Sequence, residues 1–172
     1  MWQYDGSRRP PNAVAPGPGQ ESVWDYPRPP RWVQDDRHIV VRAGETVIAD
    51  TRRAIRVLET ASPPTFYLPP QDIDQTLLVT TSGLSMCEWK GAASYWTAAL
   101  PGGTRLEAIG WSYARPCPAF AAIAGWLSFY PARLCCEVDG ERVRAQPGGF
   151  YGGWLTHEIV GPVKGEPGTG HW

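Results

Sequence analysis

The sequence has no long apolar run and no excess of charge of one sign. None of its apolar runs approaches the ~18 residues that a membrane-spanning helix needs, and its net charge is −1. A balance so close to neutral gives no electrostatic basis for the capture of nucleic acid or of an anionic membrane. We therefore expect neither nucleic acid nor a membrane as a partner.

The chain also lacks the spacings that mark common metal and cofactor sites. Its four cysteines and three histidines are scattered, without a Cys-x-x-Cys pair. Because structural zinc sites recruit ligands at short fixed spacings, we predict no metal site. A Gly-x-x-x-x-Gly-Lys-Ser/Thr loop and βαβ spacing are both absent, which excludes a P-loop and a Rossmann dinucleotide site. No cofactor is expected.

Turn-forming residues and tryptophan are abundant. The chain has 19 Gly, 18 Pro and 9 Trp in 172 residues. Frequent turns with bulky aromatic residues favour short strands over long helices. We predict one mainly β domain, with antiparallel strands in a two-sheet, β-tent-like or partly open barrel arrangement, one short helix and long irregular termini.

The predicted strands occupy the middle of the chain. Two β-branched runs, 38–42 and 46–50, flank a Gly-containing turn and predict a hairpin. Further strands are predicted at 54–60, 65–68, 92–100, 105–111, 126–130 and 134–138. A short helix is predicted at 116–124, where Pro116 precedes an Ala-rich stretch. Asp139-Gly140 is a strong hairpin turn.

The flanks divide the chain into four parts. Residues 1–20 are polar, rich in Pro and Gly, and predicted to be a disordered arm. With no apolar segment there, we expect no secretory signal, a cytoplasmic protein and free thiols. Residues 21–36 alternate aromatics with prolines, which predicts an extended strap on the domain. The β-tent-like domain is assigned to 37–145, and a Gly-rich tail packed on it to 146–172.

Several short motifs, taken in order, resemble the bacterial family named domain of unknown function 427. They are ADTRRA at 49–54, LET at 58–60, PTFYLP at 64–69, Asp72-Ile73, CEWKGAASY at 87–95, WSY at 111–113 and IAGWLSFYP at 123–131. Together they cover about three fifths of the chain. The resemblance implies a β-tent fold, the two-sheet architecture of methionine sulfoxide reductase B and of the thalidomide-binding domain of cereblon.

Neither zinc nor nucleotidyl transfer follows from this resemblance. Many β-tent proteins hold zinc through paired Cys-x-x-Cys motifs, which this chain lacks. The family is also labelled nucleotidyltransferase-like, and Asp72 and Asp74 could place two carboxylates on one strand face, as a two-metal site requires. Prolines precede the pair and no phosphate loop lies upstream, so the interpretation as a helix N-cap at Asp72 is preferred.

Three residues are the candidate catalytic groups. Glu59 shares a strand face with two apolar residues, where a carboxylate is costly unless it is paired or used, so it is the best acid or base. Lys90 has apolar neighbours that favour loss of its proton, which suits a base or an imine-forming amine. Cys87 is a candidate nucleophile. The alternatives are an ion pair of Glu59 with Arg53 or Lys90, and a small buried hydrophobe at Cys87.

Five further residues are predicted to bind a ligand. Small residues beside large rings leave room for a flat molecule, and a guanidinium can bind a carboxylate or phosphate. The predicted residues are Arg53, Tyr67, Tyr95, Trp111 and Tyr113. Plain core packing and surface charge are the alternatives.

The predicted function is therefore a pocket for a small polar or planar metabolite. One hypothesis is a cofactor-free acid/base enzyme of hydrolase, isomerase or cyclase type. The other is a non-catalytic module that holds a metabolite or modified base in an aromatic cage. The sequence leaves a homodimer open and does not identify the ligand.

Overall fold

The computed structural model describes residues 2–172, in which short strands dominate. The strands, β1 to β15, are Glu21–Ser22, Arg31–Asp35, Ile39–Ala43, Thr46–Thr51, Ala54–Leu58, Thr65–Tyr67, Leu78–Cys87, Gly91–Ala99, Arg105–Ser112, Leu127–Phe129, Cys135–Val138, Glu141–Arg142, Arg144–Ala145, Trp154–Leu155 and Ile159–Val160. Four 3₁₀ turns are Val23–Asp25, Pro70–Asp72, Gln75–Leu77 and Pro118–Ile123. Among these residues no helix has the length and apolar character needed to cross a membrane.

The strands form five sheets. The two largest have the strand orders β10-β9-β8-β7 and β12-β11-β3-β4, and a third has the order β2-β5-β6. All pairs within these three sheets are antiparallel. The predicted mainly β, antiparallel fold is confirmed, and no sheet closes on itself within residues 2–172.

The strongest local patterns fold as predicted. Strands β3 and β4 form the hairpin expected from two β-branched runs. Asp139 and Gly140, with φ of 47° and 81°, join β11 to β12. This left-handed pair is the backbone of a tight hairpin turn, and it explains the Asp-Gly sequence there. The helix predicted at 116–124 is present as the 3₁₀ turn Pro118–Ile123.

Alternation along β6 separates two apolar clusters. Phe66 and its neighbour Leu68 point into the main core, which also holds Ile109, Phe129 and Trp154. Tyr67, between them in sequence, points to the opposite side and joins a second cluster built around aromatic rings. A period of two therefore places one tyrosine outside the main core, in the region where the candidate site lies.

Both termini lie against the domain. Residues 2–20 contain no helix or strand, yet the Tyr4 ring lies edge-on to Trp24 with centroids 5.1 Å apart. The Val14 amide donates to the Gly161 carbonyl at 2.8 Å. The segment predicted as a strap contributes β2, which pairs with β5. The same segment also contributes β1, which pairs with β15. Sheet structure therefore begins at Glu21, ahead of the predicted domain boundary at residue 37.

The close approach of β9 and β10 at Gly110 is a testable feature. A Cβ at Gly110 would lie 2.4 Å from the Ser128 carbonyl oxygen and 3.2 Å from the Phe129 ring. We expect Gly110→Ala to lower the free energy of unfolding by about 1–3 kcal/mol, because the strands must move apart. Urea denaturation at constant m-value measures the change.

Gly170 provides the matched control for this substitution. A Cβ at Gly170 meets no atom within 4 Å, so Gly170→Ala is expected to change the free energy of unfolding by less than about 0.5 kcal/mol. Equal stability of the two variants would contradict the close approach of β9 to β10.

Candidate ligand-binding site

A hollow of about 220 Å³ lies between the β7–β8 hairpin, strands β5, β6 and β9, and the C-terminal tail. Its walls carry aromatic rings, two amines, one carboxylate and one thiol. The lining residues are Val57, Glu59, Ser62, Pro63, Thr65, Tyr67, Met86, Cys87, Lys90, Tyr95, Trp111, Tyr113, Tyr130, Gln146, Phe150, Tyr151, Gly152 and Lys164. The structure thus brings together seven of the eight residues predicted from the sequence to form the site.

The aromatic wall is fixed by packing and by one hydrogen bond. Trp111 Nε1 donates to the Tyr67 hydroxyl at 3.2 Å, and the two rings meet edge-on with centroids 6.2 Å apart. Tyr130 packs on Trp111 at 4.7 Å. The Tyr95 hydroxyl pairs with Ser85 Oγ at 2.7 Å. These contacts hold the rings around the hollow in defined positions.

The tyrosine hydroxyls of this wall stay protonated. Burial raises the pKa of Tyr67, of Tyr113 and of Tyr130. A neutral hydroxyl can both donate and accept a hydrogen bond, whereas it supplies no charge. The tyrosines therefore offer polar contacts to a ligand and to the neighbouring amines without adding a net charge to the hollow.

Both lysines of the protein lie in this hollow. Of the 16 basic residues other than histidine, only Lys90 and Lys164 are lysines, and the rest are arginines. Lys90 is 7% exposed and Lys164 5% exposed. Neither amine takes part in a salt bridge within residues 2–172. Buried ammonium groups without such partners are costly, which marks the hollow as a site rather than ordinary core.

Lys90 keeps its proton more firmly than an ordinary lysine. Its Nζ lies 5.6 Å from the centre of the Phe120 ring and 6.0 Å from that of Tyr113. Burial lowers the pKa of Lys90, but attraction of the ammonium to Tyr67, Cys87 and Glu59 outweighs burial, so the pKa lies above its ordinary value. This environment disfavours the base or imine-forming role inferred from apolar sequence neighbours, because groups distant in sequence surround the amine.

Lys164 enters the hollow from the C-terminal tail, where its backbone is clamped. Its amide donates to the Ala61 carbonyl at 2.7 Å, and its carbonyl accepts from Gln146 Nε2 at 2.7 Å. Its Nζ lies 4.3 Å from the centre of the Trp2 ring and 5.5 Å from that of Tyr151. The side chain is therefore held against aromatic faces on a fixed backbone.

The pKa of Lys164 shifts in the direction opposite to that of Lys90. Burial and the like charge of Arg28 lower the pKa of Lys164, and the carboxylates of Glu59 and Glu88 offset this only in part. One hollow therefore contains an amine that holds its proton and an amine that releases it more easily.

Glu59 lies beside an arginine that the sequence did not indicate. Glu59 Oε1 is 3.4 Å from Arg28 Nε, and the Glu59 side chain is 24% exposed. The Arg28 guanidinium also donates to the carbonyls of Tyr4 and Thr60, at 3.0 and 2.9 Å. The ion partner of Glu59 is thus Arg28 rather than the expected Arg53 or Lys90, and the carboxylate stays accessible to the hollow.

Arg53 is the predicted site residue that the structure places elsewhere. Its guanidinium bonds the Asp72 carboxylate, with Nη2 to Oδ1 at 2.7 Å, and its side chain is 61% exposed. Thr51 Oγ1 accepts from the Arg53 amide and donates to Asp72, which fixes this arrangement. Arg53 lines a separate surface cleft and does not line the hollow.

The two aspartates considered for metal binding have local partners. Asp72 accepts from Thr51 and Arg53 at the end of a 3₁₀ turn, so it is not the N-cap expected there. Asp74 caps the next turn by accepting from the Thr76 amide at 3.1 Å. Within the described residues no cluster of three or more His, Cys, Asp or Glu side chains could hold a metal ion.

Sequence reasoning missed Lys164, Arg28 and the tail residues that close the hollow. These residues lie in segments with no strand or helix periodicity, so their positions could not be read from a pattern. One signal was present: the chain contains only two lysines among its many basic residues. The rarity of lysine in the sequence, and not the residues around position 164, is the signal that indicates Lys164.

The fold and site define a mainly β protein with a lysine-containing aromatic hollow, and the comparisons give its family. A family model described as Domain of unknown function (DUF427) matches residues 31–144, and the chain belongs to this family. The resemblance seen in the sequence is thereby confirmed. No curated protein matches the chain.

The opposite pKa shifts of the two lysines can be measured directly. Only the unprotonated amine reacts with acetic anhydride, so its acetylation rate follows its titration. We expect Lys164 to reach half its maximal rate at a lower pH than Lys90, because its pKa lies below the ordinary value and that of Lys90 above it. Peptide mass spectrometry after trace labelling measures both sites in one sample.

The urea-unfolded chain serves as the control for this titration. There both amines should titrate together, near the ordinary lysine pKa of about 10.4. Coincident titration of the two amines in the folded protein, or titration of Lys90 at the lower pH, would contradict the electrostatic description of the hollow.

Proposed function

We propose that the hollow binds a small planar molecule with a negative charge and transfers protons on it without a cofactor. The observation that carries this proposal is the burial of both lysines in one aromatic hollow without a salt-bridge partner among residues 2–172. The preference for a planar ligand is supported by Tyr67, Trp111 and Tyr113, since flat molecules pack well on and between rings.

The charge of the hollow favours an anion. Lys90, Lys164 and the adjacent Arg28 carry positive charge, and Glu59 is the one carboxylate in the lining. Hydrogen bonds from a charged donor to a carboxylate or phosphate are about twice as strong as neutral ones. A ligand anion would also offset the cost of keeping two ammonium groups out of water.

Proton transfer is supported by the contrast between the two amines. Lys90 retains its proton and suits the role of a general acid, whereas Lys164 releases its proton more easily and suits the role of a base. Pairs of titratable groups with pKa values pushed apart are typical of acid/base sites. Glu59 reaches both the hollow and solvent, so it can relay protons between them.

A second candidate function is binding without turnover. Three wall tyrosines stay neutral and can hydrogen-bond a polar ligand. Such a wall, with its rigid rings, is also what an aromatic cage for a metabolite or modified base needs.

Anion preference is tested with benzoate and its neutral isostere benzamide. We expect wild-type protein to bind benzoate about tenfold more tightly, because a hydrogen bond to a charged group contributes ~1.5–3 kcal/mol. Lys90→Met should abolish this preference, whereas Glu59→Gln should strengthen it by removing a like charge. Ligand-detected NMR titration measures the affinities.

Arg105 is the control cation for this experiment. It lies outside the hollow, its side chain is 55% exposed, and it pairs with Glu107 at 3.5 Å. Arg105→Gln should therefore leave the benzoate preference unchanged. Equal binding of benzoate and benzamide by the wild type would contradict the proposal that the hollow binds an anion. Loss of the benzoate preference in Arg105→Gln as well would contradict it too.

Proton transfer is tested with the keto–enol isomerisation of phenylpyruvate, an anion whose enol form is planar. Isomerisation removes one proton from the substrate and adds one, so it needs both a base and an acid. Wild-type protein should accelerate it over buffer, and Lys164→Arg should lose the acceleration. Benzoate binding without any acceleration would favour the non-catalytic binding module instead.

A further inference from the structure

We infer that Lys164 forms an imine with a small aldehyde or ketone that also carries a carboxylate, and that the Lys90 ammonium holds this carboxylate. The inference rests on the proposed function, because it names the substrate class of the same hollow. For such a substrate Lys164 acts as a nucleophile in place of a base, and Lys90 holds the carboxylate in place of donating a proton.

The distribution of lysine and arginine supports a chemical role for the amines. The chain carries arginine at every basic position outside the hollow and lysine only within it. An arginine would supply the same charge, but its guanidinium does not lose its proton in proteins and is no nucleophile. A lysine can form an imine once its amine is neutral. Charge alone therefore does not explain lysine at both positions.

The geometry favours Lys164 as the nucleophile. Backbone hydrogen bonds to Ala61 and Gln146 clamp its position, and its side chain is 5% exposed. The Trp2 and Tyr151 rings hold its Nζ in position, and among residues 2–172 no salt bridge holds it as an ammonium. The nearby positive charge of Arg28 also favours the neutral amine, which is a recognised way to activate an imine-forming lysine.

Lys90 lies in an environment suited to the complementary task. Its ammonium is stabilised by Tyr67, Cys87 and Glu59, so it keeps its charge at neutral pH. A buried point charge in an aromatic hollow binds a carboxylate and orients the rest of the molecule. A good substrate therefore carries both a carbonyl group and a carboxylate, so oxo acids and aldehyde acids are favoured over simple aldehydes.

The proposed step balances in atoms and protons. The lone pair of Lys164 Nζ attacks the carbonyl carbon, the C=O π electrons move to oxygen, and a proton passes from nitrogen to oxygen. The resulting carbinolamine loses its hydroxyl as water, with one proton taken from solvent through Glu59. The product is a C=N iminium that carries the positive charge. No oxidant, reductant or metal is needed.

The test is reductive trapping of the whole protein with 4-carboxybenzaldehyde and sodium cyanoborohydride. Hydride converts the iminium into a stable secondary amine, and peptide mass spectrometry locates it. With two lysines in the chain, the α-amino group is the only other amine that can react. We expect a single carboxybenzyl group on Lys164, formed faster than on Nα-acetyllysine by on the order of tenfold for each unit by which the pKa is lowered.

Three comparisons make the result specific. The uncharged isostere 4-methylbenzaldehyde should label Lys164 more slowly, and Lys90→Met should remove this difference between the two aldehydes. Lys164→Arg should give no adduct in the hollow while still binding benzoate, which also shows that the variant is folded. In the wild type, added benzoate should slow the trapping by competition, a readout that needs no variant.

The outcomes separate this inference from the proposed function. Selective binding of benzoate with no adduct on Lys164, or with the adduct on Lys90 or the α-amine, overturns imine formation and leaves the anion site standing. Labelling of Lys164 at equal rates by both aldehydes overturns the assignment of Lys90. Loss of both benzoate selectivity and labelling overturns the proposed function together with the inference.

Discussion

Lys90 and Lys164 are buried without a salt-bridge partner in the described part of the chain, and their burial constrains the side chains that surround the hollow. Burial of an ammonium is costly, and the cost falls only when polar or π-electron-rich groups face it. Tyr67 and Glu59 act on Lys90, while ring faces flank Lys164. The neutral tyrosines and the accessible carboxylate are therefore part of the same electrostatic arrangement as the lysines.

The fold supplies this arrangement from segments far apart in sequence. Alternation on β6 turns Tyr67 away from the main core, and the pairing of β8 with β9 sets Tyr95 opposite Trp111. The tail then crosses the opening, where Gln146 bonds both the Lys164 carbonyl and the Gly153 amide. The sheets determine where the aromatic rings lie. The buried Gln146 side chain fixes the backbone that carries the Lys164 amine.

The parts of the structure that can be predicted from the sequence are those with a regular pattern of apolar and polar residues. Period-two alternation placed Glu59 on the same face as Val57, and both residues line the hollow. The direction of the Lys90 pKa could not be read from neighbours in sequence, because Tyr67 and Glu59 act on it through space. Lys164 lies in an irregular, Gly-rich tail, where no periodicity relates the position of a residue in the sequence to the direction of its side chain.

The two lysines differ in their relation to the family. The matched segment 31–144 contains Lys90 and Glu59, whereas Arg28 and Lys164 lie outside it. The matched segment therefore supplies the charge that retains its proton and most of the aromatic wall. The flanks supply the amine with the lowered pKa and the arginine that contributes to lowering it. Under the proposed chemistry, a DUF427 domain without such flanks would keep an anion-binding hollow but would have no nucleophile in it.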